Sequence, residues 1–359
     1  MNKLKEFFRY LISPRKRSCT ASFGLVIILY LVMSVLIRTG NVSSLIKGLL
    51  IPLCSYIVAA LALNLTVGIL GDLSLGQAGF MSVGAFTGAV VSASMQQTTD
   101  SQILILIVSI LVGTVTAAFF GALVGIPVLK LEGDYLAIVT LAFGQIVKTL
   151  ISNLYVGIDP NGLQFSFVED RTHLAAGGKM IINGPSGLSG NTRMSTFTVG
   201  FVLILITLLV IYHLLESRYG RAIMATRDNK VVALTVGINT SKYKLITFVI
   251  SAALTGAAGV LYAMNFSSIT PAKFDFNLSI FILIYVVLGG LGNMTGTIVS
   301  TIVLMLLPEL LRELNDYRMI IYALILIAIM LITNNRSLRS LYEKLFRRKE
   351  KRNVQSTDL

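Results

Sequence analysis

Two carboxylates stand inside otherwise apolar sequence: Asp72, within Gly68–Gly88 (GILGDLSLGQAGFMSVGAFTG), and Asp134, near the head of Leu131–Leu150 (LEGDYLAIVTLAFGQIVKTL). A carboxylate at membrane depth is costly unless it faces protein or water. Each is therefore expected to line a cavity or to begin a helix. Asp72, Ser74 and Gln77 have a spacing suited to capping; with Gly71 they suit a passage equally well, and the two roles are compatible. Gly133-Asp134 places an acidic group at the positive end of a helix dipole. Behind it Thr140, Gln145 and Thr149 predict a polar stripe, which on a membrane helix must face other helices or a passage.

Other chemistry is missing from the chain. It has no G-x-x-x-x-G-K-[ST] phosphate loop, so it does not itself grip ATP. No Ser/His/Asp, His/Glu or Cys/His grouping has catalytic spacing. His173 and His213 stand alone in sequence, and Cys19 and Cys54 lack metal-ligand spacing. A carrier driven by protons or sodium needs a paired charge or a formed ion site in mid-membrane. Only Asp72 and Asp134 are available for that, which makes ion coupling the weaker reading and a membrane enzyme or scaffold weaker still.

Composition sets the class that must hold these residues. The chain has 359 residues, 55% hydrophobic and 13% charged, with a mean hydropathy of +0.79. Soluble domains carry about 25% charged residues, so an all-α polytopic membrane protein is expected. Ten spans are predicted, at 20–37, 46–70, 74–94, 103–129, 134–154, 197–215, 245–264, 278–292, 294–311 and 317–333. The first follows a basic stretch but has no small-residue cleavage site, and it reads as a helix and not as a signal peptide. Short runs such as 278–292 leave open a broken or re-entrant segment. Residues 1–19 and 334–359 read as basic tails flanking a permease-like body over 20–333.

The net charge of +13 does not point to nucleic acid, because the basic residues gather at the termini and between apolar runs. With the amino terminus inside, 20 of the 30 Lys and Arg residues fall on inner segments and 8 on outer ones. That bias puts both termini and the island Glu216–Lys244 (ESRYGRAIMATRDNKVVALTVGINTSKYK) in the cytoplasm. Within the island, Asp228–Val236 alternates apolar and polar residues at helical spacing and stops at Gly237, a good terminator. It predicts a short helix along the inner face, presenting one surface to another protein.

Glycines at 68, 71, 76, 79, 84 and 88, and again in Gly289–Gly296 (GGLGNMTG), suit close helix approach and helix breaks. The longest outer segment, Tyr155–Ser195, contains Asn183-Gly184-Pro185-Ser186-Gly187-Leu188-Ser189-Gly190, a density of turn formers that specifies ordered turns. It is a natural docking surface or an idle loop.

Taken together these segments resemble the LivM-type permeases of bacterial branched-chain amino acid ABC importers, from about Ile51 to Leu331. Gly71–Gly88 is similar to the family's G-x-L-S-x-G-x-x-x-F-x-x-x-G-A segment, and Leu131–Val147 to its G-D-Y-x-A-I-x-T-L-A-F-G-E-I signature. Gly184–Leu188 resembles the G-P-x-G-L turn, Ser217–Tyr262 the S-x-x-G-R-A…L-G-I-N…L-Y region, and Leu307–Tyr322 the family's tail. The resemblance implies a multi-pass protein of the bacterial inner membrane, forming half of a pathway for branched-chain or other hydrophobic amino acids; relatives carrying urea, sugars or nucleosides are the alternative. It implies as partners a second, LivH-type permease, two cytoplasmic ATP-binding subunits that hold the ATP, and an external substrate-binding protein, with no cofactor in this chain. The island becomes a coupling segment, with Arg218, Gly220, Arg221, Arg227, Asp228, Ala233, Gly237 and Ile238 at the ATPases. Gly71, Asp72, Ser74, Gln77, Asp134, Thr140 and Gln145 would line the pathway, and Asn183, Gly184, Pro185 and Gly187 would meet the binding protein. Three positions depart from the family pattern. The importer motif E-A-A-x-x-x-G is here Val231-Val232-Ala233 with Gly237, Asp72 replaces a common Gln, and Gln145 replaces Glu. The tail after Thr333 is more basic than usual, which suits anionic lipid.

Overall fold

Apolar runs of bilayer length become helices because lipid leaves backbone groups no partner outside their own segment. The computed structural model describes residues 14–39, 43–96, 99–129, 131, 133–159, 162–167, 178–311, 317 and 320–327. The helices are α1 (Pro14–Arg38), α2 (Ser44–Asn64), α3 (Gln77–Met95), α4 (Gln102–Val128), α5 (Asp134–Ser152), α6 (Phe197–Glu216), α7 (Arg218–Asp228), α8 (Lys230–Thr235), α9 (Thr240–Ala263), α10 (Phe276–Gly289) and α11 (Met294–Leu310). Among the described residues, 8 helical stretches are long and apolar enough to cross a membrane, and Met294–Glu309 is a shorter apolar helix. Nine of the ten expected spans thus have a helical counterpart. Of 317–333 only 320–327 is described as helix; the rest lies outside the described residues, as do residues 1–13, 328–359 and His173. α1 begins at Pro14, inside the stretch read as a tail.

The chain divides into two compact units, Met1–Thr301 and Ile302–Leu359. In the first, α9 is the central helix and packs on α2, α3 and α4. Apolar burial gives helices little reason to associate in lipid, so close backbone approach at small residues does that work. α3, α4 and α9 meet at Gly84, Gly113 and Gly256. A Cβ on Gly84 would overlap the Gly256 carbonyl, and one on Gly256 would lie 2.8 Å from the Gly113 oxygen. α4 turns an exposed stripe outward at Leu111, Val115, Phe119 and Leu123, at the i, i+4 spacing of a lipid-facing helix side.

The outer loop holds more than turns. β1 (Tyr155–Asp159), β2 (Gly162–Ser166), β3 (Lys179–Asn183), β4 (Leu188–Ser189) and β5 (Ser268–Ile269) form one antiparallel sheet in the order β2-β1-β3-β4-β5. The fold is that of a helical membrane protein carrying a small sheet at one end of the bundle. The alternation in these strands is short, and the pairing of β4 with Ser268 and Ile269 spans four helices in sequence, which is why periodicity did not reveal it. The sheet also gathers the helix ends beside it. β1–β4 and β5 share it, and Gln96 Nε2 donates to Thr192 Oγ1 at 2.7 Å. Gln96, the five strands and Thr192 therefore lie at one end of the bundle. The basic island lies at the other, with the breaks described next.

Candidate functional site

Each corner of the island is set by a cap. Ser217 closes α6 and opens α7, its Oγ accepting from Gly220 N at 3.3 Å. A Cβ on Gly220 would overlap the Leu214 and Leu215 backbone, so this corner requires glycine. Asn229 Oδ1 accepts from Val232 N at 3.1 Å and opens α8. Gly237, at φ +81, ends it, with Gly237 N donating to Leu234 O and Ile238 N to Ala233 O. Asn239 then caps α9 through Lys242 N. The island is two helices where one was expected. Asp228 ends the first, because Asn229 adopts extended backbone and takes the cap itself.

α8 faces outward with the wrong chemistry for water. Ala233 is buried, whereas Val231, Val232, Leu234 and Val236 are 70, 56, 51 and 69% exposed. Arg218, Arg221, Arg227 and Asp228 of α7 are also exposed, and Ile238 is half-buried. Four exposed apolar side chains on one short helix are a larger apolar patch than isolated surface residues make.

Behind this surface the second membrane helix ends and the chain turns into the third. After Asn64 the chain widens into a π-helical turn, Leu65–Leu70, and stops at Gly71, φ +86. It runs unwound to Gly76 and re-forms as α3 at Gln77. This is why the expected start at 74 falls three residues early, and Gly68–Gly88 is a break followed by a full helix, not a re-entrant loop. The island grips the break twice. Arg227 Nη1 donates to Gly68 O at 3.1 Å, and its stem covers Gly71, where an added Cβ would lie 3.2 Å from Cγ. Lys244 Nζ donates to Asp72 Oδ1 at 2.8 Å and lies 2.7 Å from Oδ2. Oδ2 is buried and accepts no further hydrogen bond, so this contact is an ion pair without hydrogen-bond geometry. Asp72 is thus a charge partner and not the expected cap: α3 has Gly76 at its N-cap and no side-chain cap bond.

Inward from the break lies a buried polar run. Leu75 N donates to Thr140 Oγ1 at 3.0 Å, and Ala78 N to Ser279 Oγ at 3.1 Å. Gln77 Nε2 donates to Ser251 Oγ at 3.0 Å, Ser251 Oγ to Ala62 O at 2.6 Å, and Thr255 Oγ1 to Gln77 Oε1. Ser74 Oγ is buried and has no partner. The second glycine-rich string, Gly289–Gly296, forms the turn between α10 and α11 and meets the first. Gly292 N donates to Asn64 Oδ1 at 2.8 Å while Asn64 Nδ2 donates to Thr297 Oγ1 at 2.8 Å. A Cβ on Gly68 would overlap Gly292 N.

Gly71, Asp72, Ser74, Gln77 and Thr140 are therefore gathered at one place. Asp134 is not among them: it is exposed in the first turn of α5, after Gly133 at φ +62. Gln145 is half-buried and Thr149 exposed, while Thr140 is fully buried. The expected stripe is split because Thr140 and Thr149 are nine residues apart, half a turn out of phase at 3.6 residues per turn. Asn64, Lys244, Ser251 and Thr255 were missed. Asn64 carried a readable signal, an amide inside the apolar run ALALNLTV. At the outer end, Gly184 (φ +47) and Gly187 (φ +71) shape the turn after β3, and Asn183 N donates to Gly187 O at 2.8 Å. Asn183 and Pro185 are exposed, and a Cβ on Gly187 would overlap Ile269 O.

Apolar helices long enough to cross a membrane, joined at one end by a helical elbow, define a polytopic membrane protein. The chain belongs to the family described as branched-chain amino acid transport system, permease component, whose model matches residues 45–332. It is 34% identical over 286 residues to the high-affinity branched-chain amino acid transport system permease protein LivM of Escherichia coli K12, covering 77% of this chain and 66% of that protein. It is 24% identical over 292 residues to LivH of Salmonella typhimurium, covering 77% and 89%. With a probable LivM of Methanocaldococcus jannaschii the identity is 27% over 215 residues, 58% of this chain and 56% of that one. The chain spans just under two thirds of the length of the curated LivM relatives from the two enteric bacteria. No solved structure matches it.

Proposed function

We propose that this chain is the permease subunit of an ATP-driven importer in a bacterial inner membrane, forming half of the passage for branched-chain or similar hydrophobic amino acids. A LivH-like permease supplies the other half, two cytoplasmic subunits bind and hydrolyse ATP, and an external protein delivers the solute to the sheet around Asn183, Gly184, Pro185 and Gly187. The observation that carries this reading is the exposed apolar face of α8, joined through α7 to the break at Gly68–Gly76. A surface built only to terminate helices has no need of four exposed aliphatic side chains. In this reading the ATPases seat on α8, with Arg218, Gly220, Arg221, Asp228, Ala233, Gly237 and Ile238 shaping that seat, and Arg227 and Lys244 carry its displacement to the break. Gly71, Asp72, Ser74, Gln77 and Thr140 line the inner mouth, Gln145 flanks it, and Asp134 serves the start of α5. Rigid-body motion of the two permeases then alternates access.

Cysteine at Val231 or Leu234, in the chain expressed with its ATPase subunits, tests the seat. Crosslinking to an ATPase is expected. Free reaction with a membrane-impermeant maleimide in the assembled complex would contradict it. Arg227→Leu removes a charged donor from the Gly68 carbonyl. Such bonds are worth about 1.5–3 kcal/mol, and the exposure of Arg227 argues for the low end. Roughly a tenfold fall in uptake is expected, with ATP hydrolysis retained by the complex; equal losses in both would assign Arg227 to folding instead.

A further inference from the structure

A cavity lies away from the breaks, on the half of the bundle that carries the sheet. It has a volume of ≈ 370 Å³ and is walled by Phe86 and Val90 of α3, Phe120 of α4, Ile151 of α5, Val156 of β1 and Phe165 of β2. Its two hydroxyl-bearing residues are already engaged. Thr87 Oγ1 donates to Val83 O at 2.7 Å and lies 3.0 Å from Thr116 Oγ1, and Thr116 Oγ1 lies 3.1 Å from Gly113 O. Nothing on the wall is left to hold an ammonium, a carboxylate or a sugar. The pocket is therefore unfit for an amino acid, whose charged backbone would be buried unpaired. Its size falls within the roughly 300–1,000 Å³ of small-ligand pockets.

Two features show what enters. The same α4 that walls the cavity carries the exposed apolar stripe Leu111, Val115, Phe119 and Leu123, of the kind a membrane helix turns to lipid. β2, the edge strand of the outer sheet, alternates in the same sense: Gln164 bonds Asp159 at 2.7 Å on one face, while Leu163, Phe165 and Phe167 are exposed on the other. Because Phe165 closes the cavity, that apolar strand face points down toward the membrane helices and not outward to water. Exposed aromatic and aliphatic side chains beside the end of a membrane-helix bundle suit the interface of a bilayer.

We propose that this cavity is a binding site for one acyl chain of an outer-leaflet phospholipid, roofed by β2, with Leu163, Phe165 and Phe167 seated in the same leaflet. A lipid so held ties the outer sheet to α3, α4 and α5. The test uses cells expressing the whole transporter and fed a diazirine-bearing fatty acid, which they build into phospholipid. After irradiation the chain is purified and crosslinked lipid is mapped by mass spectrometry. Label on Val112–Phe120 and Val147–Leu154 is expected to fall several-fold more on cavity-lining positions than on Leu111, Val115 and Phe119. Val90→Phe, which fills the cavity, should remove the excess while leaving the stripe labelled; Val112→Phe is a second filling variant in case the first does not insert. Equal labelling of cavity and stripe overturns the proposal. So does a Val112→Cys chain that crosslinks to another protein in place of lipid, because the cavity is then covered by a subunit.

Discussion

Lys244→Met is expected to destabilise the assembled transporter by about 2–3 kcal/mol, below the roughly 3–5 kcal/mol of stripping one partner from a fully buried ion pair. The side chains of Lys244 and Asp72 are 12% and 17% exposed, so water replaces the lost ammonium only in part. Asp72 Oδ2 has no hydrogen bond to fall back on. Asp72→Leu in the same chain removes the stranded charge, and the double variant should recover most of the stability, since an apolar pair of similar volume is often neutral or better. Thermal unfolding of the purified complex reads both effects. If Lys244→Met melts within about 1 kcal/mol of the parent, the pair does not hold the break. Uptake by the double variant separates stability from transmission: a stable but slow transporter means that the charges act in the motion as well as in the fold.

Gly68→Val should be the most damaging change at the break itself. A Cβ there would overlap Asn64 Oδ1 and the Gly292 amide. The first is a side chain that can move only by giving up its bonds to Gly292 N and Thr297; the second is backbone. Overpacking and the lost bonds together come to roughly 2–4 kcal/mol, and the two breaks are pushed apart. We expect the chain to insert with uptake reduced at least about tenfold. Gly144→Ala is the control: its Cβ would lie 3.7 Å from Gly79 N, an ordinary contact, and near-normal transport is expected. Normal uptake by Gly68→Val would mean that the junction of the two glycine strings has no part in transport.

How much of this was legible in the sequence depends on whether the information was local. Span positions, the stop at Gly237 and the presence of breaks in both glycine strings could be read from runs of a few residues. That the strings touch could not. Asn64 and Gly292 are 228 positions apart, and Asp72 and Lys244 are 172 apart, so no periodicity links them. Asp72 was singled out as a cap or passage residue but its charge partner was not, because Lys244 sits among island cations that resemble ordinary orientation signals. The stripe over Thr140, Gln145 and Thr149 was judged by interval alone, and a helix accumulates phase over nine residues. β4 and β5 are two residues each, too short for alternation to register, and their pairing with the outer loop is purely tertiary.

Uptake of a labelled branched-chain amino acid by proteoliposomes is the most direct measurement of the central claim, that this chain is a passive gate moved through α8 and Arg227. The complete complex should accumulate solute against its gradient only with ATP and both ATPase subunits present, and vesicles carrying the permeases alone should not exceed equilibrium. Accumulation above equilibrium without ATP or without those subunits would contradict the account.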